Sequence, residues 1–415
     1  MGRASVTAVL RAAMGSDLAG RRPPFRPHGM GSPKGRGLVE WGMSITRGPG
    51  AGPARALLAA LAAVGMAACG AASFQPYVYA VPARSDDGWQ TASADSTGLD
   101  PAPLEAAANA IGTGTFRGVD SMLVVRHGML VHETYFNDFD REKLHDLRSA
   151  TKSITSALVG IAIDQGLLPG LDEPVLPHLG GEAGLQNPDP RKREITVENL
   201  LTMTPGLACD DWNSSSPGNE EKMYKERDWV KFILDLPMVA DPGSRYGYCT
   251  GGVVALGAML GQASGQRADS YARQVLFGPL GITRAEWQFT PIGAVDTGGH
   301  IHMRPRDMAK FGQLFLQQGL WDSRRIVSAA YVERSTSFRV RTISNEEYGY
   351  LWWRRLTNRG TELVQTYYAV GNGGQQIIVA PSLDIVAVFT GSSYNTPATA
   401  PQMLFDRYVL AAVRS

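Results

Sequence analysis

Cysteine is scarce in this chain: it occurs three times in 415 residues, at Cys69, Cys209 and Cys249. An excess of either charge is missing too, since 40 Lys and Arg face 39 Asp and Glu for a formal +1. That balance argues against a polybasic nucleic-acid binder and against an acidic disordered chain. There is no Gly-x-Ser-x-Gly, so the nucleophile elbow of one large hydrolase class is absent. The run Gly371 Asn372 Gly373 Gly374 has no lysine after it that would make a phosphate loop. His300 and His302 alternate as on one strand face, but no third ligand stands nearby, and no metal is expected. No internal repeat is visible. What remains is a chain with 44% hydrophobic residues, long enough to bury a large core.

The front of the chain reads differently from the rest. Residues 1–42 are rich in Gly, Arg and Pro without periodicity, and are expected to be disordered or upstream of a true start at Met43. Residues 43–69 resemble a secretory signal, with Arg47 and Arg55 before the apolar run Ala56 to Ala68, which is too short for a comfortable membrane span. The run ends Met66 Ala67 Ala68 Cys69, similar to a bacterial lipoprotein signal in which the cysteine is lipidated, although Met66 stands where Leu is usual. An ordinary cleavable signal or an uncleaved anchor are the other readings. Residues 70–98, with Pro76 and Pro82, then read as a tether. The expected location is the periplasm or cell envelope, with membrane attachment through an N-terminal lipid at Cys69 in the first reading.

The stretch from Arg148 to Gly166 carries the chemistry. Ile154, Leu158, Ile161 and Gln165 fall on one helical stripe, Ala157 and Gly160 allow close packing, and Gly166 stops the helix. Of eight lysines, only Lys152 has a serine three residues before it, Ser149. One turn apart, the amine reaches the hydroxyl beside the free N–H groups of a helix start. Taken alone, the pair reads equally as an N-cap and a solvated charge.

Around it, Ser121 to Tyr135 predicts a β-hairpin across Arg126 His127 Gly128. Thr196 is placed to cap a short helix carrying Glu198, and Trp229 to Leu236 and Val253 to Gln262 are helical patterns. Val364 to Tyr368, Gln375 to Ala380 and Asp384 to Thr390 are strand-like, the last two joined by a turn at Pro381, and Pro401 to Val413 reads as a closing helix. Strands at both ends with helices between them predict an α/β (α+β) domain over 99–415: an antiparallel sheet formed from both termini, flanked by helices, with an inserted helical region.

Four motifs in order, Ser149 Ala150 Thr151 Lys152, Leu200 to Leu207, Tyr246 to Gly252 and Gly371 to Gln375, resemble those of the serine β-lactamase-like hydrolases. The resemblance covers roughly Leu99 to the C-terminus and is greatest to the branch of class C β-lactamases, esterases and 6-aminohexanoate-dimer hydrolases. It implies the β-lactamase/transpeptidase-like fold, Ser149 as nucleophile, and Lys152 and Tyr248 as proton-transfer groups, with no metal or organic cofactor. It also implies that the backbone N–H of Asn372, after Gly371, joins that of Ser149 as an oxyanion donor. A disulfide between Cys209 and Cys249 is expected because both border the same cleft in related folds, the alternative being two buried free cysteines.

Two departures bear on substrate. Thr250 stands where the family usually has Asn, so the polar contact to Lys152 or to a substrate carbonyl is expected to be a shorter hydroxyl contact or absent, and Ala369 Val370 Gly371 stands where β-lactamases and transpeptidases have Lys-Thr-Gly or His-x-Gly. A carboxylate-holding cation is therefore missing unless Arg339 or Arg341 supplies it. A small ester or linear amide is the expected substrate; a β-lactam or D-Ala-D-Ala peptide, and a catalytically silent binding lipoprotein, are the alternatives. Trp352, Trp353, Tyr348 and Tyr350 are expected either to wall an acyl pocket or to be core.

Overall fold

The computed structural model describes residues 75–397 and 399–414. The expectations for 1–42, for the signal at 43–69 and for Cys69 lie outside the described residues.

The main sheet has nine strands: β1 (Gln90–Thr91), β2 (Val119–Arg126), β3 (Met129–Tyr135), β4 (Val340–Arg341), β5 (Glu347–Tyr348), β6 (Trp353–Arg359), β7 (Glu362–Gly371), β8 (Gln375–Ala380) and β9 (Ile385–Gly391). Their spatial order is β1-β3-β2-β9-β8-β7-β6-β5-β4, antiparallel throughout except that β1 runs parallel to β3. The predicted hairpin is β2–β3, turned by His127 and Gly128, which both have positive φ as a tight two-residue turn requires. The N- and C-terminal strands meet where β9 pairs with β2, for example Val388 opposite Leu123, so the sheet is built from both ends of the chain as expected.

Among the helices are α1 (Pro101–Gly112), α2 (Thr151–Asp164), α3 (Val197–Leu201), α4 (Glu220–Met223), α5 (Trp229–Asp235), α6 (Thr250–Ser264), α7 (Pro305–Leu316) and α8 (Ala329–Thr336), with a further short helix at Ala268–Ala272 and a helical C-terminal segment over residues 400–412. Every residue of β8 and β9 is buried, so both faces of the sheet centre are covered. The α7 helix lies close on β8 and β9: a Cβ on Gly312 would fall 2.5 Å from Val386 Cγ1, so the approach needs glycine. Thr196 caps α3 in a reciprocal capping box with Asn199, as its position predicted. The helices α3 to α6 form the inserted helical region, and α2 packs between α6 and β7.

Two expectations are corrected. The segment 70–98 is no tether from Tyr77 onward. Trp89 is 2% exposed and donates its indole N–H to Arg306 O, Tyr79 donates its hydroxyl to Val131 O, and β1 joins the sheet. Three aromatic side chains give this Pro-containing segment enough apolar area to dock, so the domain begins at or before Tyr77 rather than at Leu99. His300 and His302 do not share a strand face. His300 has φ 62° and lies before the short strand His302–Met303, its Nδ1 3.0 Å from Asp146 Oδ2.

Candidate active site

Ser149 sits in a single 3-10 turn, Arg148–Ala150, that feeds directly into α2. From Thr151 to Ala162 every residue of α2 is buried, including five polar ones. Each polar side chain therefore has an internal partner: Ser153 donates to Leu351 O at 2.6 Å, and Thr155 to Thr297 O at 2.7 Å. These bonds lock the helix that follows Ser149.

Lys152 is 1% exposed. Its Nζ donates to Ser149 Oγ at 3.0 Å, Thr250 Oγ1 at 3.0 Å and Gly298 O at 2.6 Å, which uses all three ammonium protons. The same Nζ lies 5.1 Å from the centre of the Tyr248 ring, and Lys152 and Ser149 both act on the Tyr248 phenol. Burial pushes the Tyr248 phenol above its ordinary range, while Lys152 and Ser149 oppose that. For Lys152 burial acts downward, but Tyr248, Glu220, Asp211 and Asp296 outweigh it and the net direction is up.

Those three carboxylates were not singled out from sequence. Asp211 accepts the Thr250 N–H at 2.6 Å and the Glu220 N–H at 2.9 Å; burial and the nearby Glu220 push its pKa up to about 7. Asp296 accepts the N–H groups of Gly298 and Gly299, and burial raises its pKa to about 6. Glu220 accepts the Thr250 hydroxyl at 2.9 Å. Nothing in chain order links residues thirty or more positions apart, and an acidic pair such as Asp210 Asp211 is unremarkable in a loop.

At the other wall, β7 ends against the turn before Ser149. A Cβ on Gly371 would stand 2.1 Å from Leu147 O and 3.1 Å from Arg148 Cβ, so only glycine lets the strand come this near. Asn372 follows it, with its side chain turned to Asn395 in a reciprocal pair at 2.8 Å. Ala369, on the Gly371 face of β7, is fully buried and brings no cation. Arg341 is on β4, three strands from β7, and is paired with Glu347; Arg339 donates to Arg334 O and lies over the Tyr350 ring. Neither is placed as a substitute by the bonds it makes. Arg148 is the cation adjacent to Ser149, paired with Asp146 at 2.8 Å and stacked over Tyr394.

The aromatic group divides. Trp352, Tyr348 and Tyr350 are core. Trp353 stacks with Trp212, which is 55% exposed and lies parallel to the Tyr248 ring at 4.9 Å. Trp212 was missed in the sequence because an isolated loop tryptophan has no period. Finally, Cys209 and Cys249 are disulfide-bonded, with Cα atoms 5.5 Å apart, which ties the loop carrying Asp211 to the start of α6.

A family profile described as Beta-lactamase matches residues 105–411 of this chain. The chain belongs to the beta-lactamase family. Among its relatives, the 6-aminohexanoate-dimer hydrolase of Paenarthrobacter ureafaciens is 24% identical over 297 residues, covering 68% of this chain and 74% of that one. A solved structure of a putative 6-aminohexanoate-dimer hydrolase from Bacillus anthracis superposes with TM-score 0.59 at 19% identity, covering 71% of this chain and 78% of that one. The D-stereospecific amidohydrolase of a Streptomyces species gives TM-score 0.57 at 15% identity over 74% and 98% of the two chains. At these identities the solved structures show the shared fold: a large, mostly antiparallel sheet flanked by helices.

Proposed function

We propose that this chain is a serine hydrolase that cleaves carboxylic ester or small linear amide bonds through an acyl-enzyme on Ser149. The observation that carries the reading is the buried Lys152 Nζ 3.0 Å from Ser149 Oγ and 5.1 Å from the centre of the Tyr248 ring. Serine is a poor nucleophile unless a neighbour takes its proton. Both pKa values are raised, so Lys152 and Tyr248 become one coupled acceptor once the pair has lost a proton: ammonium with phenolate and amine with phenol are then two arrangements of the proton that remains. Ser149 attacks the substrate carbonyl while its proton passes to that pair. The oxyanion is held by the backbone N–H groups of Ser149 and Asn372, and the pair returns the proton to the leaving alcohol or amine. Water then repeats the sequence and frees the acid. The steps need only these side chains and main-chain groups.

The lack of a cation on β7 favours esters and linear amides over β-lactams and D-Ala-D-Ala peptides, whose carboxylate would want one. Trp212 and Trp353 give the cleft an apolar wall suited to an acyl chain. The intact trio argues against a silent binding protein. Export to the cell envelope, with lipid attachment at Cys69, belongs to the same proposal; a disulfide in the domain accords with an oxidising compartment.

The test is to react the protein with a fluorophosphonate, map the adduct, and screen p-nitrophenyl esters, short amides and a chromogenic cephalosporin beside Ser149→Ala. The expected result is an adduct on Ser149, with ester or amide turnover lost in the variant. Labelling elsewhere overturns the nucleophile, and efficient cephalosporin hydrolysis overturns the substrate preference.

A further inference from the structure

Thr250 occupies a position that the proposed reaction does not by itself require, yet its hydroxyl is fully buried and doubly engaged. One oxygen, Oγ1, accepts from Lys152 Nζ at 3.0 Å and donates to Glu220 Oε2 at 2.9 Å. A hydroxyl has a single proton. A lysine ammonium can only donate, so the lone pairs of Oγ1 face Lys152 and the Thr250 proton points at Glu220. The direction of the whole chain of bonds is thereby set, from the lysine through the threonine to the glutamate.

The neighbouring bonds hold that chain in place. Asp211 accepts both the Thr250 N–H and the Glu220 N–H, so one carboxylate aligns the first residue of α6 with the first residue of α4. Tyr224 donates a second hydroxyl proton to Glu220 Oε2 at 3.1 Å. The Cys209–Cys249 disulfide clamps the same two segments one and two residues away. Thr250, Asp211 and Tyr224 thus hold a group that makes no hydrogen bond to the Ser149 hydroxyl.

Resting on the hydrolase reading above, we propose that Glu220 is a positioning residue for Lys152, acting through the Thr250 hydroxyl in a Ser149–Lys152–Thr250–Glu220 relay. The relay does for a lysine what the buried carboxylate of a serine–histidine–aspartate site does for a histidine: it orients the base and stabilises the charge it carries after taking the proton. No bond other than a hydrogen bond is made or broken at Glu220. The proton taken from Ser149 stays on the Lys152–Tyr248 pair and leaves with the departing group. Because the carboxylate favours protonated Lys152, it makes the pair a stronger base.

The charged and titratable groups that face this relay are Lys152 on α2, Asp211 in the loop after Cys209, Tyr224 after α4, Tyr248 before α6, and Asp296 beyond it, with His300 edge-on to the Tyr224 ring. Each stays in place in the variants chosen; Asp211, which Glu220 helps hold up at about 7, ionises more readily in Glu220→Gln and offsets part of the shift.

The rate of Ser149 labelling by a fluorophosphonate, measured against pH on the full chain, tests the relay without knowledge of the natural substrate. Glu220→Gln keeps an acceptor oxygen for Thr250 and Tyr224 and removes only the charge. Its low-pH limb should move to lower pH by about half a unit or more, and its plateau rate should fall about threefold or more, as a weaker base requires. Thr250→Ser should behave as the parent, and Thr250→Val should reproduce the loss. In the Thr250→Val background, Glu220→Gln should shift the limb by less than about half as much as it does alone. The same shift in both backgrounds would mean that Glu220 acts through space, and an unmoved limb would mean that it does not act at all; either result overturns the relay. Where Glu220→Gln fails to fold, Thr250→Val beside Thr250→Ser carries the decision: matching limbs overturn it. Failure of wild-type Ser149 to label at any pH is a separate outcome and overturns the hydrolase reading instead.

Discussion

Replacing Cys249 with serine cuts the one covalent link between the loop that carries Asp211 and the helix start that follows Tyr248. The two cysteines are 40 positions apart. Closing a loop of that length removes about 4 kcal/mol of chain entropy from the unfolded state in the standard model. The described domain has about 340 residues, so its unfolding entropy is on the order of 0.7 kcal/mol per degree near the midpoint. The melting temperature should therefore fall by roughly 5 °C in Cys249→Ser, and similarly in Cys209→Ser and in the double variant, because any of the three opens the same loop. Function should suffer as well, since Tyr248 lies next to Cys249 and its ring must stay beside Lys152 Nζ. Calorimetry with and without a phosphine reductant, together with ester turnover at a temperature well below the transition, makes the measurement. Reductant should destabilise the parent and leave the variants unchanged. Two reactive thiols from Cys209 and Cys249 in denatured, unreduced protein, or a melting shift under about 1 °C, would refute the reasoning.

The remaining expectations concern the site. Lys152→Ala and Tyr248→Phe should each lower turnover about a thousandfold or more, with the double variant far from multiplicative; fully multiplicative losses would mean that the two groups work separately. Gly371→Ala should cost activity well beyond its effect on folding, because the new methyl must push β7 away from Leu147 O and so displace the Asn372 N–H; unchanged kcat would refute that placement. Asp296, whose pKa is raised to about 6, binds its proton more tightly folded than unfolded, so its contribution is present below about pH 4 and is lost as pH rises through about 6. Asp296→Asn keeps an acceptor for Gly298 and Gly299 and should flatten the fall in melting temperature between those values; an identical slope in parent and variant would count against a buried, raised Asp296.

Local signals identified most of the elements flanking the site. The Thr196 cap, the His127–Gly128 turn and the stripe on α2 each depend on residues within one or two turns of one another, and each is where it was expected. Other elements had local signals that were not taken up: Asp100 followed by Pro101 is a helix start, and it caps α1. The stretch 70–98 shows a different failing. Its prolines describe its backbone correctly, but whether an extended segment floats or docks depends on the surface its aromatics meet, and that surface is made by α1, β3 and Arg306.

By itself the sequence brought Ser149 and Lys152 together, because they are one helical turn apart and that distance is a property of the helix alone. The ordered motifs then assigned Tyr248, the glycine strand end and the disulfide through resemblance. Only the tertiary structure decided what surrounds Lys152. Asp211, Glu220 and Gly298 come from segments separated by up to 146 positions from it, and burial turns ordinary charges and carbonyls into a set of coupled groups. Hydrogen bonds and fields act through space, at distances that the fold, and not the order of residues, brings about.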